Sequence, residues 1–301
     1  MNQKNIILKG IFPPIPTPFD NEGNININAL NENFRYWNRF NLRGYLVLGS
    51  NGEATLLSLK EKLNLFEEAR KNIPDDRVMI AGTGCQSTQE TAALCKEAAK
   101  TGADCVLVLN PYYYKGRMTQ DALTNHYYKV ADNSPVPVLI YNMPANTGID
   151  MDAGTICRIA EHPNIYGLKD SGGNIVKMGE IKRNAGEKFQ ILAGSASFLL
   201  PALSVGATGG ILALANISPE KCISVYENFI KGDIIKAREE QLSIISTNTA
   251  VTKMWGVPAL KAAMDYLGLY GGPVREPLLP LTENEKEKLF IILRECGIKK
   301  F

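Results

Sequence analysis

Asn164-Ile-Tyr-Gly-Leu-Lys169, followed at once by Asp170-Ser-Gly-Gly173, is a short apolar run closed by a lysine and then by a glycine-rich turn. That is how a buried strand reads where it runs into a loop. One unit earlier, Val136-Pro-Val-Leu-Ile-Tyr141 repeats the pattern, ending in a tyrosine and then Asn142-Met-Pro-Ala-Asn-Thr-Gly148. The same kind of run recurs outward in both directions. Strands are expected at Ile11 to Pro16, Tyr45 to Leu48, Val78 to Ala81, Cys105 to Asn110, Val138 to Tyr141, Ile165 to Lys169, Gln190 to Ala193 and Gly209 to Leu212, eight in all. These runs are continuous in apolarity rather than alternating, as strands buried on both faces are.

Helix-length segments separate the runs, among them Ile27 to Phe40, Ser58 to Asn72, Ser87 to Lys100 and Thr119 to Ala131. Leu59, Leu63, Phe66 and Arg70 show the spacing of three and four that gives a helix one buried face. Ser58 and Ser87 stand where N-caps are expected, and Ser218-Pro219-Glu220 reads as a cap followed by proline at the first helical position. Eight β/α units predict an α/β fold, a (β/α)8 TIM barrel over residues 1–232; a doubly wound open sheet is the alternative. Residues 233–301 contain no strand pattern. They read as three helices with breaks near Trp255-Gly-Val-Pro258 and Gly271-Gly-Pro273, a C-terminal helical extension packed on the barrel.

Composition narrows the function. In 301 residues, 33 Lys and Arg balance 31 Asp and Glu, a net charge of +2, and no basic run is present, so nucleic acid is not an expected partner. No stretch approaches the roughly 18 apolar residues of a membrane helix, and little sequence precedes the first apolar run, so no transit or signal peptide is expected. A soluble, cytoplasmic protein is the natural expectation. The six cysteines form no C-x-x-C pair and the two histidines, His126 and His162, belong to no cluster. A metal site and a redox disulfide are therefore not expected, and no cofactor is. Gly82-Thr-Gly84 resembles a dinucleotide fingerprint but lacks the third glycine, and Asp104 opens a strand where the fingerprint acid should end one.

In a β/α barrel the chemistry gathers at the C-terminal ends of the strands, where Lys169 and Tyr141 fall side by side. Neighbouring strands lie about 4.8 Å apart, so the phenol can reach atoms bonded to the amine. An apolar barrel mouth disfavours a charged amine, and a neutral amine attacks a ketone to form an imine. The adjacent phenol can move the proton. After strand 2, Gly49-Ser-Asn-Gly-Glu53 offers successive backbone amides suited to a carboxylate or phosphate. The Pro111-Tyr-Tyr-Tyr-Lys-Gly116 cluster after strand 4 reads on composition as packing or interface.

In order and spacing, Gly49-Ser-Asn-Gly-Glu53, Tyr141-Asn-Met-Pro144, Lys169-Asp-Ser-Gly172 and Gly206-Ala-Thr-Gly-Gly-Ile211 resemble the dihydrodipicolinate synthase / N-acetylneuraminate lyase family of Schiff-base aldolases, over nearly the whole chain. The resemblance implies that Lys169 forms an imine with pyruvate and that Tyr141 relays protons. It implies that Ser50 and Asn51 hold the pyruvate carboxylate, with the Ser50 hydroxyl linking Tyr141 to Tyr113. Such a tyrosine comes from a partner subunit in the family, which implies a homo-oligomer, a dimer or a dimer of dimers. Gly194 and Ile211 match positions lining the pocket beside the lysine.

Members with dihydrodipicolinate synthase activity carry an arginine where this chain has Asn146, and an amide offers no bidentate fork for a carboxylate. Leu59 stands where lysine-regulated synthases have a histidine. The strings Tyr113-Tyr-Lys-Gly-Arg-Met118, Pro144-Ala-Asn-Thr-Gly148 and Tyr270-Gly-Gly-Pro273 resemble instead the 4-hydroxy-2-oxoglutarate aldolase branch. The expected reaction is reversible cleavage of a 4-hydroxy-2-oxo acid to pyruvate and a small aldehyde, with Asn146 and Ser171 touching the second substrate. Two rivals are a synthase condensing pyruvate with aspartate semialdehyde and an inactive barrel that binds a 2-oxo acid.

Overall fold

A computed structural model describes residues 6–298 and 300. Its strands are β1 (Gly10–Phe12), β2 (Gly44–Val47), β3 (Val78–Gly82), β4 (Cys105–Leu109), β5 (Val138–Asn142), β6 (Ile165–Asp170), β7 (Gln190–Ala193) and β8 (Gly209–Ile211). All pair in parallel in the order β1-β8-β7-β6-β5-β4-β3-β2. The remaining gap, β1 to β2, is closed by single hydrogen bonds: the N–H groups of Arg43 and Leu46 donate to Ile11 and Pro13 carbonyls at 3.0 Å, and Ile15 N–H donates to Leu46 O at 3.0 Å. The sheet is thus the expected barrel.

Strand β1 is shorter than the Ile11 to Pro16 run. Pro13, Pro14 and Pro16 have no N–H to give a ladder, so beyond Phe12 the chain follows β2 through the Pro13 carbonyl and the Ile15 N–H only. Strand β2 ends at Val47 because Leu48 turns into the left-handed region at φ 61°.

Alternation along each strand divides the core in two. Phe12, Leu46, Ile80, Leu107, Leu139, Tyr141, Leu192 and Ile211 fill the barrel interior. Ile11, Tyr45, Val47, Met79, Val106, Val108, Ile140, Leu168 and Ile191 face outward beneath the helices. Both faces are buried, which is why the runs read as continuously apolar.

The helices are α1 (Ile27–Trp37), α2 (Leu59–Asn72), α3 (Thr88–Lys100), α4 (Gln120–Asn133), α5 (Pro144–Thr147), α6 (Ala153–Ala160), α7 (Ile175–Asn184), α8 (Leu199–Ser204) and α9 (Pro219–Ile230). Ser58 caps α2 in a reciprocal box with Glu61, and Ser87 accepts from Glu90 N–H at the start of α3. Ser218 sits at the α9 cap position before Pro219, but its hydroxyl donates to Glu220 Oε1 at 2.8 Å instead of capping the backbone.

Past residue 233 come α10 (Ile234–Ser243), α11 (Ile245–Thr249), a π-helical turn (Ala250–Met254), α12 (Gly256–Leu267) and α13 (Glu283–Glu295). Helix α10 packs on α9, and α12 on the turn after β8. Between α12 and α13 the chain runs without regular structure back across the β2–α2 loop: Tyr270 donates its hydroxyl to Phe19 O at 2.9 Å, and Arg275 pairs with Glu61 at 2.7 Å. Among the described residues no helix is long and apolar enough to cross a membrane.

Candidate active site

Tyr141 and Lys169 are direct partners in the β5–β6 register, at the C-terminal ends of their strands. Both point into the barrel. Lys169 is 3% exposed and its Nζ lies 4.3 Å from the Tyr141 ring centroid. The Tyr141 hydroxyl stands 3.3 Å from Ser50 Oγ. Burial pushes the Tyr141 phenol up. The charge of Lys169 beside it, with hydrogen bonds from Ser50, Lys169 and Ser171, outweighs burial and holds the phenol below the ordinary tyrosine value. A phenol so placed gives up and regains a proton more readily, at the atom nearest the amine.

Ser50 and Asn51 open a 3₁₀ turn that ends at Gly52. The N–H groups of Gly52 and Glu53 are used inside the turn, donating to Gly49 O at 3.0 Å and Ser50 O at 3.1 Å. The amides of Ser50 and Asn51 lead the turn, where helical geometry supplies no partner. Leu48 and Glu53, both left-handed without being glycine, bracket it at φ 61° and 54°. Such conformations persist where the surroundings over-determine them, and they gather at ligand clamps.

Gly194 follows β7 and packs its backbone against the β6 end, donating to Asp170 O at 2.7 Å. A Cβ there would run into Ser171 Oγ and stand 2.7 Å from Asp170 O. Ile211, fully buried on β8, belongs to the same interior layer as Tyr141 and Leu192. Asn146 is exposed on α5 and lines, with Ser50, Gly82, Asn110 and Tyr141, a cavity of about 860 Å³ that opens over the strand ends. The structure therefore gathers Lys169, Tyr141, Ser50, Asn51, Ser171, Gly194 and Ile211 at one mouth. Tyr113 stands apart from them. It is 75% exposed, its ring edge-on to Tyr114 at 5.0 Å, on a loop fixed by Gln86 Oε1, which accepts from the Tyr112 and Tyr113 N–H groups.

One cluster is not evident in the sequence. The residues after Tyr141 and Lys169 point the other way, toward the helices, and those two residues meet: Asn142 Nδ2 donates to Asp170 Oδ2 at 2.9 Å and to Asp150 Oδ1 at 2.8 Å. Lys177 of α7 lies 3.3 Å from Asp170 Oδ2 and pairs with Asp150. Asp170 also accepts from Gly172 N–H at 2.8 Å and Gly173 N–H at 3.2 Å, while Ser171 N–H donates to Asn142 O at 2.9 Å. The signal available was the pairing of polar residues directly behind Tyr141 and Lys169; nothing in the spacing marks Asp150 or Lys177.

A family model for the dihydrodipicolinate synthetase family matches residues 7–296. A 4-hydroxy-tetrahydrodipicolinate synthase of Desulforudis audaxviator is 35% identical over 288 residues, 96% of this chain and 97% of that protein. A protein of Emericella nidulans named "Probable 4-hydroxy-2-oxoglutarate aldolase, mitochondrial" is 35% identical over 289 residues, 94% of this chain and 93% of that protein. Among solved structures, a dihydrodipicolinate synthase from Bacillus anthracis is similar at a TM-score of 0.92 and 29% identity, covering 96% of this chain and 98% of that one.

Proposed function

We propose that this chain, which belongs to the dihydrodipicolinate synthetase family, is a class I aldolase that cleaves a 4-hydroxy-2-oxo acid reversibly to pyruvate and a small aldehyde. The observation that carries this reading is the amine of Lys169 buried against the Tyr141 ring at 4.3 Å, with Ser50 on the phenol. Lys169 Nζ attacks the C2 carbonyl of the oxo acid, Tyr141 gives its proton to the departing hydroxyl, and loss of water leaves a protonated imine. The Tyr141 phenolate then accepts the proton of the C4 hydroxyl. The C3–C4 bond then breaks, its electron pair passing into the imine as an enamine while the aldehyde departs. Tyr141 returns the proton to C3, and water releases pyruvate and the free lysine. The lowered phenol value supports this double duty, because a relay works best when its pKa lies nearer the working pH.

Ser50 and Asn51 hold the pyruvate carboxylate on the leading amides of their turn, and Gly194 and Ile211 shape the pocket beside the lysine. Tyr113, exposed in the protomer, reaches the Ser50 of a second subunit, so that the working form is a homo-oligomer built as a dimer or a dimer of dimers. The enzyme acts in the cytoplasm and needs no cofactor. Asn146 and Ser171 contact the aldehyde end.

A second reading, condensation of pyruvate with aspartate semialdehyde, is equally supported by relatives, since the Desulforudis and Bacillus proteins are named as synthases. Asn146, neutral where that substrate's carboxylate would need a cation, favours the first. Incubation with pyruvate, borohydride reduction and intact-mass measurement tests the common chemistry: one covalent adduct is expected, and it must vanish in Lys169→Ala. Turnover assays with glyoxylate, aspartate semialdehyde, N-acetylmannosamine and glyceraldehyde then separate the two readings. Efficient use of aspartate semialdehyde alone would overturn the first.

A further inference from the structure

We propose that Lys261, on α12 of the C-terminal helices, is a positioning residue for the turn at Ser50–Gly52, acting through Glu53. The inference rests on the reading of that turn as the pyruvate carboxylate site.

The argument starts from the strain. Leu48 and Glu53 hold left-handed conformations at the two ends of the turn, so something outside it must hold them there. At the last residue of the turn Thr17 reaches in, its hydroxyl donating to Gly52 O at 2.7 Å. At Glu53, the next residue, the constraint is ionic. The Glu53 side chain is fully buried, with Oε1 at 2.6 Å from Lys261 Nζ, and Oε2 accepts the Arg275 N–H at 2.8 Å.

Lys261 is itself seated on all sides. Its Nζ donates to Pro273 O at 2.7 Å and lies 4.4 Å from the Phe19 ring centroid, while the Arg275 guanidinium lies 4.3 Å from the same ring. Arg275 also donates to Leu56 O at 3.2 Å and to Gly23 O, and pairs with Glu61 at 2.7 Å, which ties both flanks of the β2–α2 loop to the segment after α12. That segment has no slack. A Cβ on Gly271 would overlap the Lys261 backbone, and one on Gly272 would stand 2.7 Å from Phe19 O.

A buried ion pair adds little net stability compared with apolar side chains of the same size. What it supplies here is direction. Both carboxylate oxygens of Glu53 are engaged, one by Lys261 of α12 and one by the Arg275 N–H of the segment after it, which fixes the backbone of Glu53 and so the aim of the amides just before it. Lys261 does not line the cavity over the strand ends, so its effect passes through the turn.

The test uses the full chain. Lys261→Met alone leaves the Glu53 carboxylate buried without its cation and can unfold the protein, so Lys261→Met/Glu53→Gln, which removes both charges, is the deciding variant. Steady-state kinetics and borohydride trapping are measured against pyruvate concentration. The expected result is a KM for pyruvate raised by about tenfold with kcat within about twofold, the signature of lost ground-state and transition-state binding together; saturating pyruvate still traps the full adduct on Lys169. A double variant that folds and retains the wild-type KM, or that loses kcat with KM unchanged, overturns the positioning role while leaving the aldolase reading intact. Absence of any adduct on the wild-type protein overturns the aldolase reading and this inference with it.

Discussion

Replacing Lys177 by Met tests whether the charge network behind β5 and β6 holds the strand ends. Lys177 presents a cation 3.3 Å from a carboxylate, that of Asp170, with no exposure of its own. At an effective dielectric of about 20 the attraction across that distance is about 5 kcal/mol, which bounds the loss from above. Asp170 would keep three neutral donors, Asn142 Nδ2 and the N–H groups of Gly172 and Gly173. The loss should therefore fall near the lower end of the range for breaking a buried pair, about 3 kcal/mol. For a chain of this size that lowers Tm by roughly 5 °C.

The pH dependence gives a second handle. Burial pushes the Asp150 carboxyl up, but hydrogen bonds from Lys177 and Asn142 and the Lys177 charge outweigh it and hold the group below the ordinary aspartate value. A depressed folded pKa contributes stability above the unfolded value of about 3.9 and loses it as pH falls through the folded one. The gap between wild type and Lys177→Met should thus be full near neutral pH and narrow below about pH 4. Urea and thermal unfolding followed by circular dichroism measure it. A gap under about 1 kcal/mol near neutral pH, or one that stays constant into acid, would refute the reasoning, as would failure of Lys177→Met/Asp170→Asn to regain stability.

Tyr141→Phe should lower turnover by about 10²- to 10⁴-fold while a slowly formed pyruvate adduct can still be trapped on Lys169; unchanged turnover would remove the relay. Asn146→Arg should raise kcat/KM for an acceptor bearing a carboxylate by about tenfold, the scale of one charge-assisted hydrogen bond, and leave glyceraldehyde unaffected in competition assays. Gly194→Ala forces a Cβ onto Ser171, so it should cost about 1 to 3 kcal/mol in unfolding experiments and weaken pyruvate binding. Burial alone holds His126 at about 4 against its ordinary 6.5; the unfolded chain takes a proton first as pH falls, so stability should drop between those values by on the order of 3 kcal/mol, and a His126→Gln variant should lack that slope.

The barrel was legible because its strands are buried on both faces and so announce themselves as eight apolar runs. The misplaced ends have specific causes: Pro13, Pro14 and Pro16 lack the donors that would extend β1, and Leu48 leaves β2 by turning left-handed. Ser58 and Ser87 were readable as caps because capping is local, whereas the Ser218 hydroxyl found Glu220 instead. The segment between α12 and α13 reads only as a break at Gly271-Gly272. Its role over the β2–α2 loop depends on Arg275 and Lys261 meeting Glu53 and Glu61, more than 200 positions away. Tyr113 shows another limit: the sequence places it on the loop after β4, but within this chain its ring is exposed and away from Ser50.

Reaction and substrate choice are written in different parts of this molecule, which is why one can be read and the other needs an assay. Lys169 and Tyr141 are strand residues. A slip of one position would turn both toward the helices and bring Asp170 and Asn142 into the barrel, so the apolar pattern that sets the register also sets the chemistry. The interior layer of Leu192 and Ile211 and the outward charge network act on the same two strands from opposite sides, and neither tolerates such a slip. Asn146 is held by no such pattern. It sits exposed on a four-residue helix after β5, where a change of side chain disturbs no core packing. On the proposed reading the same barrel keeps its imine chemistry while the acceptor changes; one relative with a synthase name and one with an aldolase name are each 35% identical to this chain.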